Sequence, residues 1–221
     1  MPGMNLLAIE SSTENCSVAL EAGGQRLERQ AVEPRGHAQR ILPWSQALLA
    51  EAGLRFNDLD GLVVGRGPGS FTSLRIGLGI AQGVALAHDL PIYPVSSLEA
   101  LAQTVDPDCQ APALLCLLDA RMGEVYAGWY RCRDGKRQRV GDEALLPPAS
   151  LSLPDEEDWV VTGPGARAYK EITGKALGTK ARFADEEHWP GAPALLSLAQ
   201  QVEPIDAYSL EPTYLRDQVT G

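Results

Sequence analysis

Two short turns carry side chains that could meet phosphate groups and a magnesium ion: the first combines acidic and hydroxyl side chains, and the second begins with an aspartate. The first is Glu10-Ser11-Ser12-Thr13, which joins two strand-like segments near the N-terminus. The second begins at Asp119, directly after a strongly apolar strand. Carboxylates bind Mg²⁺, and tight turns can bind phosphate. The same residues fit equally well with ordinary strand-joining turns that bind no ligand.

Other motifs that would indicate chemistry are absent from the sequence. It contains no Gly-x-x-x-x-Gly-Lys-Ser/Thr phosphate loop, no Gly-x-Ser-x-Gly elbow and no recognisable Cys/His pair. Its histidines, His37, His88 and His188, are too far apart in sequence for a His-rich metal site. Gly65-Arg66-Gly67-Pro68-Gly69 resembles a phosphate loop only weakly, because Pro68 lacks an N–H group. We therefore predict no catalytic residue, no metal site and no cofactor.

The composition argues against strong nucleic-acid binding by this chain alone. Its 221 residues carry a formal net charge of −10, whereas phosphate contacts need concentrated Lys and Arg. The densest basic group straddles Asp134-Gly135 and reads as a solvated hairpin turn: Arg131, Arg133, Lys136, Arg137 and Arg139. We find no signal peptide and no membrane span, and the four cysteines show no short paired spacing. We therefore predict a protein of the reducing cytoplasm without a disulfide framework.

Hydrophobic periodicity predicts an α/β protein with two similar lobes, residues 1–107 and 108–221, each a mixed sheet flanked by helices. In the first lobe we predict strands at 6–10, 16–21, 26–32, 61–65 and 91–95, and helices at 36–53, 70–87 and 97–105. In the second we predict strands at 113–119, 124–131, 138–145 and 159–162, helices at 166–173 and 193–202, and an extended tail.

The helix predicted after the Gly-Pro loop is almost uncharged, since Arg75 is the one charged residue between Ser70 and Ala87. A surface helix normally keeps a charged face, so most of this helix must be buried. It contains three glycines, Gly77, Gly79 and Gly83, and each costs about 1 kcal/mol relative to alanine. A small-residue stripe repeats every four residues: Ser73, Gly77, Ala81 and Ala85. Such a stripe lets another helix approach closely, although a core helix on its own sheet explains the pattern as well.

We predict that this helix and the helix over 36–53 form a docking surface for a partner protein. One face of a helix can pack on its own sheet while another meets a partner, so the two explanations are compatible. The candidate interface residues are His37, Ile41, Leu42, Ser45, Leu48, Leu49, Ser73, Gly77, Ile80, Ala81, Val84 and Ala85.

Five segments, in this order, together resemble the bacterial TsaB (YeaZ) family: residues 8–20, 37–43, 65–77, 119–126 and 211–216. Beyond about Tyr130, the similarity to the family is limited to the last of these segments. Glu10 departs from the aspartate usual at that position in the family, and Arg121 and Met122 replace the Asp-x-Gly pattern of an intact phosphate turn.

The resemblance implies a two-lobed actin-like, ribonuclease H-like fold with a relic nucleotide site at Glu10, Ser11, Ser12, Thr13, Asp119, Gly163 and Gly165. It also implies a non-catalytic scaffold that pairs, through a bundle of its first two helices, with the catalytic paralogue TsaD. The assembly, which includes the ATPase TsaE, adds a threonylcarbamoyl group to the adenosine beside the anticodon of tRNA. The chain would meet tRNA only through the complex, and alone it would form homodimers.

Two enzymatic alternatives remain open from the sequence. An actin-like ATPase or small-molecule kinase would use the turns at Glu10–Thr13 and Asp119, with Asp119 as general base. A metallopeptidase would need metal ligands that the sequence does not show.

Overall fold

The computed structural model describes residues 3–154 and 158–215. These residues form two compact units. The first comprises the described residues up to Ala100 together with Pro190–Thr213, and the second contains Leu101–Trp189. Residues 190–213 therefore pack with the first unit, although they follow the second one in sequence. The division into lobes at 1–107 and 108–221 stays a prediction.

The first unit is built on a five-stranded mixed sheet with the order β3-β2-β1-β4-β5. Its strands are β1 (Leu6–Glu10), β2 (Asn15–Ala22), β3 (Gln25–Val32), β4 (Gly61–Gly65) and β5 (Ile92–Val95). Strands β1, β2 and β3 form an antiparallel meander, whereas β4 pairs parallel with both β1 and β5. The predicted opening meander is confirmed.

The alternation of side chains along β1 explains why helices cover both faces of this sheet. Leu7 and Ile9 belong to the core that contains the inward residues of α1 (His37–Glu51) and α2 (Phe71–His88). Leu6 and Ala8 point to the opposite face and pack with α6 (Ala192–Leu198). A strand buried on both faces reads as a continuous apolar run, which is why β1 and β4 could be located from sequence. Helix α3 (Ser97–Val105) follows β5.

The second unit is built on a six-stranded mixed sheet with the order β11-β10-β6-β7-β8, and β9 pairs with β7. The strands are β6 (Ala113–Arg121), β7 (Glu124–Arg133), β8 (Lys136–Arg139), β9 (Ala144–Leu146), β10 (Trp159–Thr162) and β11 (Ala181–Phe183). Helices α4 (Pro164–Ala168) and α5 (Lys170–Leu177) contribute Ala166 and Leu177 to the core of one sheet face. The predicted fold class, mixed sheets flanked by helices, is confirmed.

Three predicted elements of the second half differ from the structure. The single strand at 138–145 is wrong, because Gly141, with a φ of 74°, lies between β8 and β9. The single helix at 166–173 is also wrong, since Tyr169 leaves helical geometry with a φ of −121° and separates α4 from α5. The helix at 193–202 ends at Leu198 and continues as a 3₁₀ turn, Ala199–Gln201. In the tail segment, Arg216 lies outside the described residues.

The expectation that no disulfide forms is wrong. Cys109 and Cys132 are joined by a disulfide in the second unit, with their Cα atoms 5.5 Å apart. Their separation of 23 residues gave no sequence signal. Cys16 and Cys116 are buried free thiols, and burial raises the pKa of Cys16 to about 11.

The basic group is only partly the solvated turn that the sequence predicted. The hairpin turn itself is confirmed, because Asp134 and Gly135 connect β7 to β8. Arg137, however, has a buried side chain that pairs with Asp106 and also donates to the carbonyl oxygen of Ala111 at 2.9 Å. This arginine therefore belongs to the interior of the second unit.

Candidate functional site

The first candidate phosphate turn is buried within its own unit. Glu10, at the end of β1, has no exposed surface. Its Oε1 accepts a hydrogen bond from the Ser12 backbone N–H at 2.7 Å, and its Oε2 accepts one from Ser97 Oγ at 3.0 Å. Burial raises the pKa of the Glu10 carboxyl, and the hydrogen bonds from Ser12 and Ser97 oppose that rise. This carboxyl is thus engaged by neighbouring residues of the chain.

The Gly-Pro loop at residues 66–70 covers the same turn. The Ser70 backbone N–H donates to the carbonyl oxygen of Ser12 at 2.7 Å. A Cβ atom at Gly69 would overlap that oxygen, and one at Gly65 would overlap the Glu10 carboxylate. Gly65, the last residue of β4, and Gly69, in the loop, are therefore both required by close packing against the turn. Ser11, Ser12 and Thr13 are buried beneath it as well.

The Gly-Pro loop also joins the motif segments of the first unit to one another. The Arg66 N–H donates to the carbonyl oxygen of Val95, and the Ser97 N–H donates to that of Gly67, both at 2.9 Å. The Thr213 N–H, in the tail segment, donates to the carbonyl oxygen of Arg66 at 2.8 Å. The opening turn, the Gly-Pro loop and the tail thus form one hydrogen-bonded assembly beside the N-terminus of α2.

The second candidate turn lies in the other unit, where the chain itself engages its carboxylate. Asp119 accepts hydrogen bonds from the Arg121 backbone N–H at 2.8 Å, from Arg121 Nη1 at 2.9 Å and from Tyr169 Oη at 3.2 Å. Burial raises the pKa of Tyr169, and the negative charge of Asp119 adds to that rise. Arg121 and Met122 have φ values of 62° and 55°, so the turn holds two side chains in a conformation that favours glycine.

The two glycines assigned to the relic site pack against β6. Gly163 has a φ of 98°, and a Cβ atom there would overlap the carbonyl oxygen of Leu117. At Gly165 a Cβ atom would lie 2.8 Å from the carbonyl carbon of Leu118. Close approach of α4 to the strand explains both glycines without a ligand. The relic site, with Glu10–Thr13 in one unit and the remaining members in the other, stays a prediction.

Most of the candidate interface residues of α1 face the core. His37, Ile41, Ser45, Leu48 and Leu49 are buried, whereas the Leu42 side chain is 38% exposed. Ser45 Oγ donates to the carbonyl oxygen of Ile41 at 2.7 Å. Burial lowers the pKa of His37, and the nearby backbone of Thr13 and Asn15 opposes that change. His37 therefore supports the packing of α1 on the opening turn.

In α2, the small-residue stripe faces inward. Gly77, Ala81 and Ala85 are buried, while Ser73, Ile80 and Val84 are half-buried. A Cβ atom at Gly77 would overlap Ser11 Oγ, so this glycine allows α2 to rest on the opening turn. The structure therefore gives the Gly77 stripe a role within the chain, and the interface set chosen from the sequence stays a prediction.

The outer side of α2 carries two further glycines among larger residues, in a region that we call the open α2 face: Thr72, Ile76, Gly79, Gly83 and Leu86. Positions 79 and 83 have open space around them, with no atom within 4 Å of a Cβ atom built there. The Leu86 side chain is 50% exposed. Arg75, the single charged residue nearby, holds its guanidinium 3.7 Å from the centre of the Phe71 ring. The open α2 face is thus accessible and largely apolar, with Arg75 one turn before Gly79 as its one charged neighbour.

Sequence reasoning counted Gly79 and Gly83 only as a cost to the helix. Leu74 and Leu78, the bulky buried residues of α2, mark its inward side. At about 100° per residue, Gly83 lies about 180° from Leu74 and about 140° from Leu78, whereas Gly79 lies about 140° and about 100° from them. The spacing of these glycines relative to the leucines is present in the sequence. It did not identify the outer side of the helix because the helix is apolar on nearly all sides. Within residues 3–154 and 158–215, no cluster of three or more potential metal ligands occurs and no helix has the length and hydropathy to cross a membrane.

Comparison with known proteins places this fold in a family. A family model described as "TsaD: tRNA N6-adenosine threonylcarbamoyltransferase" matches residues 30–218. Curated relatives named "tRNA threonylcarbamoyladenosine biosynthesis protein TsaB" include the protein of Haemophilus influenzae, 38% identical over 100% of this chain and 97% of its own length. The Escherichia coli protein of the same name is 39% identical over 98% of this chain and 96% of its own length.

A solved structure described as YeaZ from Pseudomonas aeruginosa superimposes with a TM-score of 0.87 at 40% identity. The match covers 96% of this chain and 100% of the other. The actin-like fold class predicted from the sequence is confirmed by this likeness and by the two helix-flanked mixed sheets.

Proposed function

The chain belongs to the TsaB (YeaZ) family, and we propose that it is the non-catalytic scaffold and activator subunit of a tRNA threonylcarbamoyltransferase. Its role in tRNA threonylcarbamoyladenosine biosynthesis follows from family membership. In our proposal it pairs with a TsaD-type catalytic subunit, works with a TsaE-type ATPase in the cytoplasm and meets tRNA only through the complex.

The open α2 face carries this proposal. Helix interiors that contain glycine lose about 1 kcal/mol per residue relative to alanine, and the described part of the chain offers no packing at Gly79 or Gly83 that would offset this loss. A partner helix could approach the backbone closely at these two positions and gain dispersion contacts. Ile76 and Leu86 would supply apolar area on either side, and Leu42 of α1 is a further exposed apolar side chain. We infer that the isolated chain uses the same face for homodimers.

The condition of the two candidate turns supports a non-catalytic role. Glu10 is buried and hydrogen-bonded to Ser12 and Ser97, and Asp119 is held by Arg121 and Tyr169. A carboxylate that binds Mg²⁺ or takes a proton needs oxygen atoms accessible to the ligand. We therefore do not favour the actin-like ATPase or kinase, and calorimetric titration of ATP and Mg²⁺ onto the purified chain is expected to show no binding heat.

Substitution of the open glycines tests the docking face. Gly83→Leu and Gly79→Leu fill the space that a partner helix would occupy, so we expect each variant to lose co-elution with the TsaD-type subunit in gel filtration. Leucine is also a better helix former than glycine, so the variants should fold at least as stably as the parent chain. A stable heterodimer containing either variant would contradict the proposal.

A matched control adds the same bulk elsewhere. Ala176→Leu enlarges an exposed helical residue of α5 in the second unit, and we expect it to pair normally. Loss of pairing in this control as well would mean that added surface leucines, rather than the docking face, cause the effect.

A further inference from the structure

A groove runs beside the C-terminal end of α2 within the first unit. One wall is lined by Ala85, Leu86 and residues 89–91 and the other by residues 204–208, and the volume of this open groove is about 460 Å³. Ile205 and Ile92 exchange two backbone hydrogen bonds, of 2.8 and 2.9 Å. Gln82 Nε2 donates to the carbonyl oxygens of Ala207 and Leu210, both at 3.1 Å. These bonds fix the second wall to α2 and β5, so the groove is formed before any ligand arrives.

The lining of this groove combines apolar surface with negative charge. Tyr208 is 84% exposed and faces the same groove as Leu86, Pro91 and Ile205. The two charged lining residues, Asp89 and Asp206, are both acidic. The groove also lies at the C-terminus of α2, where the carbonyl ends of the helix favour cations.

We propose that this groove binds a short segment, with a Lys or Arg next to an aliphatic residue, from the partner subunit that docks on the open α2 face. The stem of such a cation can lie on Pro91 and Ile205 while its head reaches a carboxylate, and the Tyr208 ring offers a cation–π contact. RNA phosphate is excluded as an occupant by the like charge of the two carboxylates.

Continuity of the two surfaces indicates that the chain docked on the open α2 face supplies the segment. Leu86 belongs both to the open α2 face and to the groove lining, so a helix that covers the face leads directly into the groove. The net charge of −10 further favours a basic partner segment over a second copy of this chain. This inference rests on the proposed function, because it assumes a heterodimer.

Affinity measurements on the full-length chain and the TsaD-type subunit test the groove. Asp89→Asn removes one carboxylate that makes no ion pair within residues 3–154 and 158–215, and we expect binding at low salt to weaken about two- to fivefold with a shallower salt dependence. Tyr208→Ala should weaken binding by about tenfold. Glu203→Gln, which removes an exposed carboxylate just outside the groove, is the matched control and should bind as the parent does.

The outcomes separate the groove from the docking face when Gly83→Leu is measured in parallel. If Gly83→Leu abolishes pairing while Asp89→Asn and Tyr208→Ala bind like the parent, the groove is not used and the proposed function stands. If all three variants bind like the parent, both proposals are wrong. If the groove variants weaken only self-association, the occupant is a second copy of this chain and the inference is overturned. Thermal unfolding of each variant alone identifies any folding defect. If Tyr208→Ala proves unstable, the affinity of Asp89→Asn decides the result, because position 89 is exposed.

Discussion

Both sides of α2 carry glycine, but under different physical constraints. On the inner side, a Cβ atom at Gly77 would overlap Ser11 Oγ, and Ala81 and Ala85 continue the buried stripe. On the outer side, Gly79 and Gly83 have no neighbour within 4 Å of a Cβ position. A glycine in a helix can therefore be required by the chain's own packing, or it can leave room that the chain itself does not fill.

The difference concerns where the cost of each glycine is offset. The loss of about 1 kcal/mol at Gly77 is offset within the chain, because the helix can rest directly on the turn that follows β1. At Gly79 and Gly83 no such compensation exists in residues 3–154 and 158–215 of the isolated chain. That contrast, rather than the number of glycines, is what supports a partner on the outer side.

Gly77→Leu is expected to cause the largest loss of stability, and it tests the packing of the inner side of α2. The new side chain would collide with Ser11 in a buried position, and overpacking of this kind costs about 1–3 kcal/mol or more. We expect the free energy of unfolding to fall by about 3 kcal/mol, measured by urea denaturation. Gly79→Leu is the matched control on the same helix and should not be destabilised. Equal stability of the two variants would remove the distinction between the two sides.

A smaller change in the free energy of unfolding is expected from the titration of Glu10. This residue belongs, with Ser11, to the turn on which the inner side of α2 packs. Burial raises the pKa of Glu10 above its usual value of 4.5, so the folded state holds the proton more tightly than the unfolded state does. This carboxyl therefore favours folding fully below pH 4.5 and loses that contribution as pH rises toward its folded pKa. The slope can reach about 1.4 kcal/mol per pH unit.

Glu10→Gln separates this contribution from other titrating groups. The amide keeps a carbonyl oxygen that can accept the Ser12 or Ser97 hydrogen bond but does not ionise. We expect the variant to become more stable relative to the parent chain as pH rises above 4.5, in denaturation series from pH 4 to 8. Parallel pH profiles for the two proteins would contradict the raised pKa. Gly79→Ala, on the outer side, should follow the pH profile of the parent.

The sequence predicted the local elements well where one periodicity dominates. Strands β1 and β4 and helix α3 have the predicted bounds, and the two strands could be located because they are continuous apolar runs between turns. The break between α4 and α5 could not be predicted in this way. It occurs at Tyr169, whose hydroxyl donates to Asp119, and a contact over 50 residues leaves no local pattern.

The orientation of α2 was beyond the sequence for a different reason. A helix with apolar residues all round has no polar side to define its outer surface, so the residue spacing pointed to the Gly77 stripe as the contact surface and left Gly79 only as a cost to the helix. The position of Ser11 beneath Gly77 shows that this stripe packs within the chain. The groove likewise depends on residues 204–208, which reach α2 and β5 from a segment more than 100 positions away in sequence.

The smallest expected change in stability comes from a substitution on the outer side of α2. Gly79→Ala adds one methyl group to open space, so the isolated chain should gain about 1 kcal/mol of unfolding free energy from helix propensity alone. Urea denaturation measures this gain, and Gly77→Ala should show a loss instead because its methyl group meets Ser11. In the heterodimer the gain from Gly79→Ala should be offset by poorer approach of the partner helix. If the variant is stabilised and binds the TsaD-type subunit as tightly as the parent, no backbone lies close to position 79, and the contact must centre on Gly83 or elsewhere.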